Sequence, residues 1–415
     1  MTAGLSRPEG VIGENEVREF ITESIDPSDY RDRRVLVVIP DHTRTGPLPL
    51  LFRTIADHLK PVTRQLDFMV ALGTHPAMEP DAIDRLVGMT ADERRKNYGE
   101  TQVVNHEWDN PDHLVTVGSI PADEIKTISG GLLGEEVPVT LNRAVTEYDP
   151  ILLVGPVFPH EVVGFSGGNK YLFPGIAGKE IINFTHWLGA LISNPAINGE
   201  IETPVRRVID RAASMLQSRR LNLSMVVTHD GLKGLFYGEP EAAYREAAAL
   251  SAAVQIVYKP RAFSRVLSMA PEMYDDVWTA GKCMYKLEPV VADGGELIIY
   301  APHVTEISYT HGKILDKIGY HVRDYFLEQW DRFKDVPRGV LAHSTHVRGI
   351  GTYKDGVEKP RVTVTLATQI SPERCARVNL GYMNPDDINP AEWEGREEEG
   401  VLLVPNAGEK LHRLK

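Results

Sequence analysis

The sequence predicts an α/β fold: two α/β domains with mainly parallel sheets. Three observations carry this. Continuous Val/Ile/Leu runs of strand length recur, as in RRVLVVIP and PILLVGP, and such runs fit strands covered on both faces. Amphipathic segments of helical period, such as LLFRTIADHLKPV and PVRRVIDRAASMLQ, alternate with them. After KPRAF, residues 259–263, the pattern restarts with a new strand, so a second α/β unit begins near residue 262.

In chain order, RRVLVVIP, QLDFMVALG, HLVTVG, VPVTLN and PILLVGP read as strands up to residue 156, with LLFRTIADHLKPV and PDAIDRLVGM as helices among them. PVRRVIDRAASMLQ is a helix and LNLSMVVTH a strand. A glycine-containing turn and the alanine-rich helix EPEAAYREAAALSAAVQIV follow. In the second unit SRVLSMA is a strand, Glu272 to about Val291 a helix, ADGG a turn and ELIIYAP a strand. ISYTHGKILDKIGYHVRDYFLEQWDRF reads as one long helical stretch, and GVLAHSTH and PRVTVTLAT as further strands. The acidic run EWEGREEEG reads as solvated surface, and no repeat or low-complexity tract is visible. The expected domains are residues 1–258 and 262–390.

At 415 residues the chain is long enough for two large cores. Hydrophobic content of 42% and charged content of 25% are those of an ordinary globular protein. A formal charge of −13, with no basic run, argues against a nucleic-acid surface. An anionic ligand would then need local positive charge. Cys283 and Cys375 are the only cysteines, which excludes a disulfide scaffold and a cysteine-rich metal site. The N-terminus has no apolar core of signal-peptide length, and no run reaches the roughly 18 apolar residues of a membrane span. The expected compartment is reducing and cytoplasmic.

The most informative segment is HEVVGFSGGNKYLFPGIAGKEIINFTH, His160 to His186. Two histidines bracket a glycine-rich turn, with Gly167 and Gly168, that delivers Lys170. The turn lies where the strand PILLVGP hands over to a helix, the place where α/β proteins keep ligands. Glycine lets a backbone adopt positive φ and approach a bound group closely. A Walker loop needs Gly before the lysine and Ser or Thr after it, whereas Lys170 stands between Asn169 and Tyr171. PDHTR, residues 40–44, ends the first strand. Asp41 and Thr43 suit a turn or a helix cap, and Arg44 adds a fork for a carboxylate. Asp41 could orient Arg44 or take a cofactor hydroxyl. ALGTH places His75 just past the next strand. Imidazole, with an ordinary pKa near 6.5, suits proton transfer both ways, which makes His75 and His160 a candidate pair of bases. WTAGKCMYKLEPVVADGG carries Thr279, Lys282 and Lys286; Lys286, one turn on, reads as a lysine of an amphipathic helix. His303, Tyr309 and His311 follow the strand ELIIYAP and are candidates for a pocket or for surface loops.

The order and spacing of these residues resemble the nickel-dependent lactate racemase family, over roughly Val35 to Pro302 and more weakly beyond. The family pattern of a histidine, a Gly-Gly-Arg-Lys-like turn, Pro-Gly and a second histidine stands here as His160, GGNK, Pro174-Gly175 and His186. Members carry a nickel-pincer nucleotide, the nickel complex of pyridinium-3,5-bisthiocarboxylic acid mononucleotide, in which two sulfurs and one ring carbon grip the metal. The resemblance implies an isomerase, a racemase or epimerase of a small 2-hydroxy acid, acting by hydride transfer to and from that cofactor. It implies Lys170 as the covalent tether, His186 as the nickel ligand and His75 and His160 as the acid/base pair. Arg44 and Lys282 would hold the substrate carboxylate beside Thr279, with Asp41, Thr43, Gly167 and Gly168 near the cofactor. It further implies an active site in the interdomain cleft, cofactor-biosynthesis proteins as partners, and return of the C-terminal segment 395–415 to the first domain. Two positions depart from the family's lactate-type pattern: Thr279 stands for Gln, and Asn169 for Arg. The shorter threonine leaves room for a larger or differently shaped 2-hydroxy acid. On the residues alone two other classes stay open: a histidine-based metal-dependent hydrolase or lyase, and a non-catalytic organic-anion binding protein.

Overall fold

The computed structural model describes residues 2–415. The chain divides into two compact units. Unit 1 holds the residues up to Phe158, Phe165–Thr185 and Ile201–Val254; unit 2 holds Pro159–Gly164, His186–Glu200 and Gln255–Lys415. No helix among the described residues is long and apolar enough to cross a membrane.

Unit 1 is built on a seven-stranded sheet among the described residues. Its order is Ala3–Ser6, Gly231–Gly238, Arg220–Thr228, Ile151–Pro156, Arg34–Pro40, Gln65–Ala71 and Val103–Asn105. From Arg220–Thr228 to Val103–Asn105 every pairing is parallel; only Gly231–Gly238 runs antiparallel to its neighbours. The apolar runs are buried along nearly their whole length, as a doubly covered sheet requires. Helix Leu48–Leu59 buries Leu51, Phe52, Ile55, Ala56 and Leu59, one helical stripe, and Phe52 meets Phe68 of the sheet with ring centroids 4.5 Å apart. The strand order reverses between Arg34–Pro40 and Ile151–Pro156: later strands add on one side of the first and then on the other. Ligands of open α/β sheets bind outside the carboxyl ends at such a switch point.

Unit 2 has a five-stranded parallel sheet in the order Gly381–Tyr382, Thr363–Thr368, Val291–Ala301, Phe263–Met269 and Val401–Val404. Its own reversal falls between Phe263–Met269 and Val401–Val404. The C-terminal segment, expected to return to the first domain, pairs here instead: Val401–Val404 covers the edge of Phe263–Met269, and Leu411–Leu414 pairs in parallel with Ile256–Lys259. An uncovered edge of a buried parallel sheet would leave its backbone groups unpaired, which accounts for the added strand. Pro159–Gly164 and His186–Glu200 also belong to this unit rather than to the first 258 residues. Lys286 Nζ donates to the Pro159 carbonyl, and Asn194 Nδ2 donates to that of Tyr285 at 2.9 Å.

Four further elements differ from expectation. GVLAHSTH is not a strand; it lies in the helix Arg338–Arg348. Every residue from Val340 to Val347 is buried, so no apolar stripe shows and the local alternation misleads. Pro337 before it and Gly349 after it, at φ 82°, are the true signals of a helix. The glycine-containing turn after Thr228 contains a full strand, Gly231–Gly238. A Cβ at Gly234 would come within 2.3 Å of Leu250 Cδ2, so this glycine serves close packing of helix Pro240–Gln255 on the sheet. The long helical stretch after Ile307 is broken into Gly312–Ile318, Arg323–Glu328 and Trp330–Phe333, with Gly319 at φ 73° ending the first. The helix expected from Glu272 begins only at Val277, where Asp276 accepts the Thr279 N–H at 2.9 Å.

One buried histidine ties unit 1 together. His106 Nε2 donates to the Ala177 carbonyl (3.0 Å), and its Nδ1 accepts from Asn142 Nδ2 (3.2 Å). Both partners require the neutral ring, and burial lowers its pKa from 6.5 to about 4. The unfolded chain therefore takes up the proton first. Stability from this residue is complete above the ordinary value, and is lost as pH falls from 6.5 towards about 4. The loss should be on the order of 3 kcal/mol. His106→Gln, compared with the parent in thermal unfolding at pH 7 and pH 4.5, should lose less stability over that interval. Equal losses would show that His106 does not carry the effect.

Candidate active site

In unit 1 the site is built on a buried carboxylate. Asp41 is the first residue after strand Arg34–Pro40, and its side chain is 4% exposed. Oδ1 accepts from Thr43 Oγ1 (2.6 Å) and Thr43 N (3.1 Å); Oδ2 accepts from His75 Nδ1 (2.5 Å). Burial alone would raise its pKa. The His75 hydrogen bond and charge, the Arg44 guanidinium and the Thr43 hydroxyl outweigh it and hold the carboxyl well below the usual carboxylate range. Asp41, left open by sequence between Arg44 and a cofactor hydroxyl, thus orients His75. The proton of His75 is fixed on Nδ1, which leaves Nε2 as the basic nitrogen of a half-buried ring. Thr43 Oγ1 in turn accepts from Arg44 Nη1 (2.9 Å), and the guanidinium carbon lies 5.6 Å from the Phe158 ring centroid.

The turn carrying Lys170 reaches the same end of the sheet. Gly175 O accepts from Gly73 N (2.9 Å), which joins the turn before His75 to the segment after Lys170. Tyr171 packs over strand Ile151–Pro156, where a Cβ at Gly155 would overlap its hydroxyl, and lies close enough to feel the charges of Arg44 and Asp41. From Val162 to Pro174 every residue is buried except Lys170, the half-exposed tip of the short 3-10 turn Gly168–Tyr171. Gly167 and Gly168 have φ of 90° and 59°. A Cβ at Gly167 would come within 2.4 Å of Val157 Cγ2, and one at Gly168 within 3.0 Å of Tyr244 Cβ. The room each glycine leaves is filled by protein, so these two shape the turn.

Unit 2 gathers the other candidates. His160 is buried and its Nδ1 accepts the Val162 N–H (3.1 Å), which places the neutral ring's proton on Nε2. Glu161 Oε2 lies 3.3 Å from the same Nδ1 and would stabilise the protonated ring. Lys286, read from sequence as a lysine of an amphipathic helix, is 1% exposed and donates to the carbonyl of Pro159, beside His160. No sequence signal marks it, because buried and surface lysines share one local pattern. His186 is a half-buried residue of helix Lys179–Ile192, next to Trp187, which stacks on Trp330 at 5.7 Å. Burial, reinforced by the His346, His311 and His186 rings, holds His343 well below the usual imidazole range. His343 and His311 flank Trp278, with ring centroids 3.9 and 4.5 Å away. This aromatic cluster leads into Thr279 and Lys282, both half-exposed. Lys282 Nζ lies 4.6 Å from the Tyr274 ring centroid, and its Cβ would be 2.9 Å from a Cβ at Gly408, so it stands at the switch point of this sheet. His303 Nε2 bonds to the Tyr274 carbonyl (3.0 Å), and Tyr309 is 67% exposed.

The donor set bears on a cofactor. Among the described residues no group of three or more His, Cys, Asp or Glu is placed to hold a metal ion. A single imidazole, such as that of His186, fits a metal whose other ligands come with an organic group.

A family model described as the lactate racemase N-terminal domain matches residues 12–198. The chain is 26% identical over 281 residues to a lactate racemase of Thermoanaerobacterium thermosaccharolyticum, covering 65% of this chain and 60% of that protein. It is 26% identical over 163 residues to a lactate racemase of Lactiplantibacillus plantarum, covering 39% of this chain and 34% of that protein. The chain thus spans less than two thirds of these relatives' length. A crystal structure of a Thermotoga maritima protein is similar at 32% identity and a TM-score of 0.90, over 99% of this chain and all of that one. The lactate racemase apoprotein of T. thermosaccharolyticum shares the fold at 17% identity and a TM-score of 0.70, over 98% of this chain and 95% of that one. Residues 12–198 thus match the lactate racemase N-terminal domain, and the chain is similar to lactate racemases in sequence and shares the fold of one.

Proposed function

We propose that this protein is a racemase or epimerase of a small 2-hydroxy acid that works with a nickel-pincer nucleotide. The observation that carries the reading is the Asp41–His75 pair beside Arg44, at the switch point where the Lys170 turn also ends. Lys170 would tether the group and His186 would be its protein ligand to nickel. When bound, the group supplies reversible hydride chemistry at the substrate Cα. The chain's own residues do the rest. Arg44 offers a planar fork to the substrate carboxylate, pre-set by Thr43, and Lys282 adds a second positive charge. His75, its Nδ1 proton held by Asp41, takes the substrate hydroxyl proton at Nε2. The imidazolium so formed is stabilised by the buried carboxylate. His160 returns a proton to the oxygen of the transient 2-keto acid, with Glu161 beside its Nδ1 to favour the charged ring. Racemisation needs such a pair, because each enantiomer must be able to lose its proton. In their neutral forms the two rings carry the proton on opposite nitrogens.

A panel of single-enantiomer 2-hydroxy acids, followed by chiral separation on cofactor-loaded protein, tests the activity. No interconversion of any of them by protein carrying nickel and the adduct would overturn it. Peptide mapping of loaded protein should find the modification on Lys170; an adduct on Lys179 or Lys282 would refute the tether. Asp41→Asn should leave nickel bound and KM nearly unchanged while kcat falls on the order of a hundred- to ten-thousand-fold, because His75 loses its orienting charge. A rate near that of the parent would remove Asp41–His75 from the mechanism. Arg44→Lys should raise KM roughly tenfold, since an ammonium cannot reproduce the fork; unchanged KM would place the carboxylate elsewhere.

A further inference from the structure

We infer that Arg206, together with Asn169, Asp210 and Glu241, clamps the turn that carries Lys170 and is a positioning residue for that amine. Arg206 lies on helix Pro204–Ala213, behind the turn, and is 1% exposed. Burying a guanidinium to this degree is costly unless hydrogen bonds compensate. Here the two terminal nitrogens bond to the backbone of the turn, while Nε has no hydrogen-bond partner: Nη1 donates to the Gly167 carbonyl at 3.0 Å, and Nη2 to that of Phe165. The Gly167 carbonyl also accepts the N–H of Lys170 (3.3 Å), so one oxygen links the guanidinium to the lysine's own backbone.

The clamp has two more sides. The Tyr244 ring centroid lies 3.9 Å from the guanidinium carbon, a cation–π contact, and the Tyr244 hydroxyl donates to the Ile201 carbonyl at 3.0 Å. The same tyrosine is what a Cβ at Gly168 would meet. On the other side Asn169 Nδ2 donates to Asp210 Oδ1 (2.9 Å) and Glu241 Oε1 (2.7 Å). Asp210 is one helical turn from Arg206, and Glu241 lies in the first turn of helix Pro240–Gln255. Carbonyls 165 and 167 and side chain 169 are thus all held from two helices, and the next residue is the one half-exposed side chain of the run. Fixing a turn this way, when its neighbours already pack it, serves the direction of Lys170. Rigid delivery of a reacting group is worth large factors in rate, because misplacement by about 1 Å can cost a hundredfold.

The inference rests on Lys170 as tether, yet its first readout needs no cofactor. In cofactor-free protein, the rate at which acetic anhydride labels Lys170 is measured by peptide mass mapping against Lys179 as internal reference. Arg206→Met keeps the bulk and removes the donors. Lys170 should then be labelled roughly tenfold faster, the scale of one lost hydrogen bond to a charged group. Lys179 should be unchanged, and the adduct fraction after cofactor loading should fall. Arg206→Lys should restore part of both. A folded Arg206→Met, judged by its thermal midpoint, with parental labelling and adduct fraction overturns the clamp. If Arg206→Met does not fold, Asn169→Ala carries the same two readouts with the same outcomes. Changed labelling in the variants, with no adduct at Lys170 in loaded parent protein, supports the clamp and overturns the tether instead.

Discussion

The buried carboxylate of Asp41 is the constraint on which the site of unit 1 depends. An ionised carboxylate withdrawn from water must be matched by donors and positive charge, or it takes up a proton. Asp41 is matched by Thr43, His75 and Arg44, each from a different backbone position. That requirement fixes the turn after the first strand. It also brings in His75 from the end of the neighbouring strand, which the parallel register of Pro40 with Ala71 makes possible. Gly73, at φ 56°, bends the chain so that His75 points back, and its N–H holds Gly175 beyond Lys170. One buried charge thereby orders the two loops and the turn that end at the switch point.

Net charge and local charge are opposed in this protein. The chain carries −13 overall, while the carboxyl ends of its two sheets present Arg44 and Lys170 in unit 1 and Lys282 in unit 2. A general negative surface favours solubility, and these three cations are local exceptions to it. The two candidate bases differ in the same local manner. His75 has a carboxylate on Nδ1, His160 a backbone N–H, so identical side chains hold their protons on opposite nitrogens.

Much of the fold was legible because buried parallel strands write themselves as continuous apolar runs. Arg34–Pro40, Gln65–Ala71, Ile151–Pro156 and Phe263–Met269 all lie where those runs place them. Periodicity failed where burial is complete on every side. Arg338–Arg348 is wrapped in protein, so its sequence shows no face, and only Pro337 and Gly349 betray the helix. Glycine misled in the opposite sense at Gly231–Gly238, where it signals close packing rather than a turn.

The sequence by itself determined the α/β class and singled out Asp41, Arg44, His75, His160, Lys170 and Lys282 as residues of interest. Each of these is a local property: a run, a turn or a residue type at a strand's end. The tertiary structure alone decided which partner each group takes. It gave Asp41 to His75, assigned the tautomers of His75 and His160, buried Lys286 against Pro159 and set Arg206 behind the Lys170 turn. It also paired the C-terminal strand with Phe263–Met269. These are contacts between residues distant in sequence, and a buried polar group's need for a partner says nothing in sequence about where that partner lies.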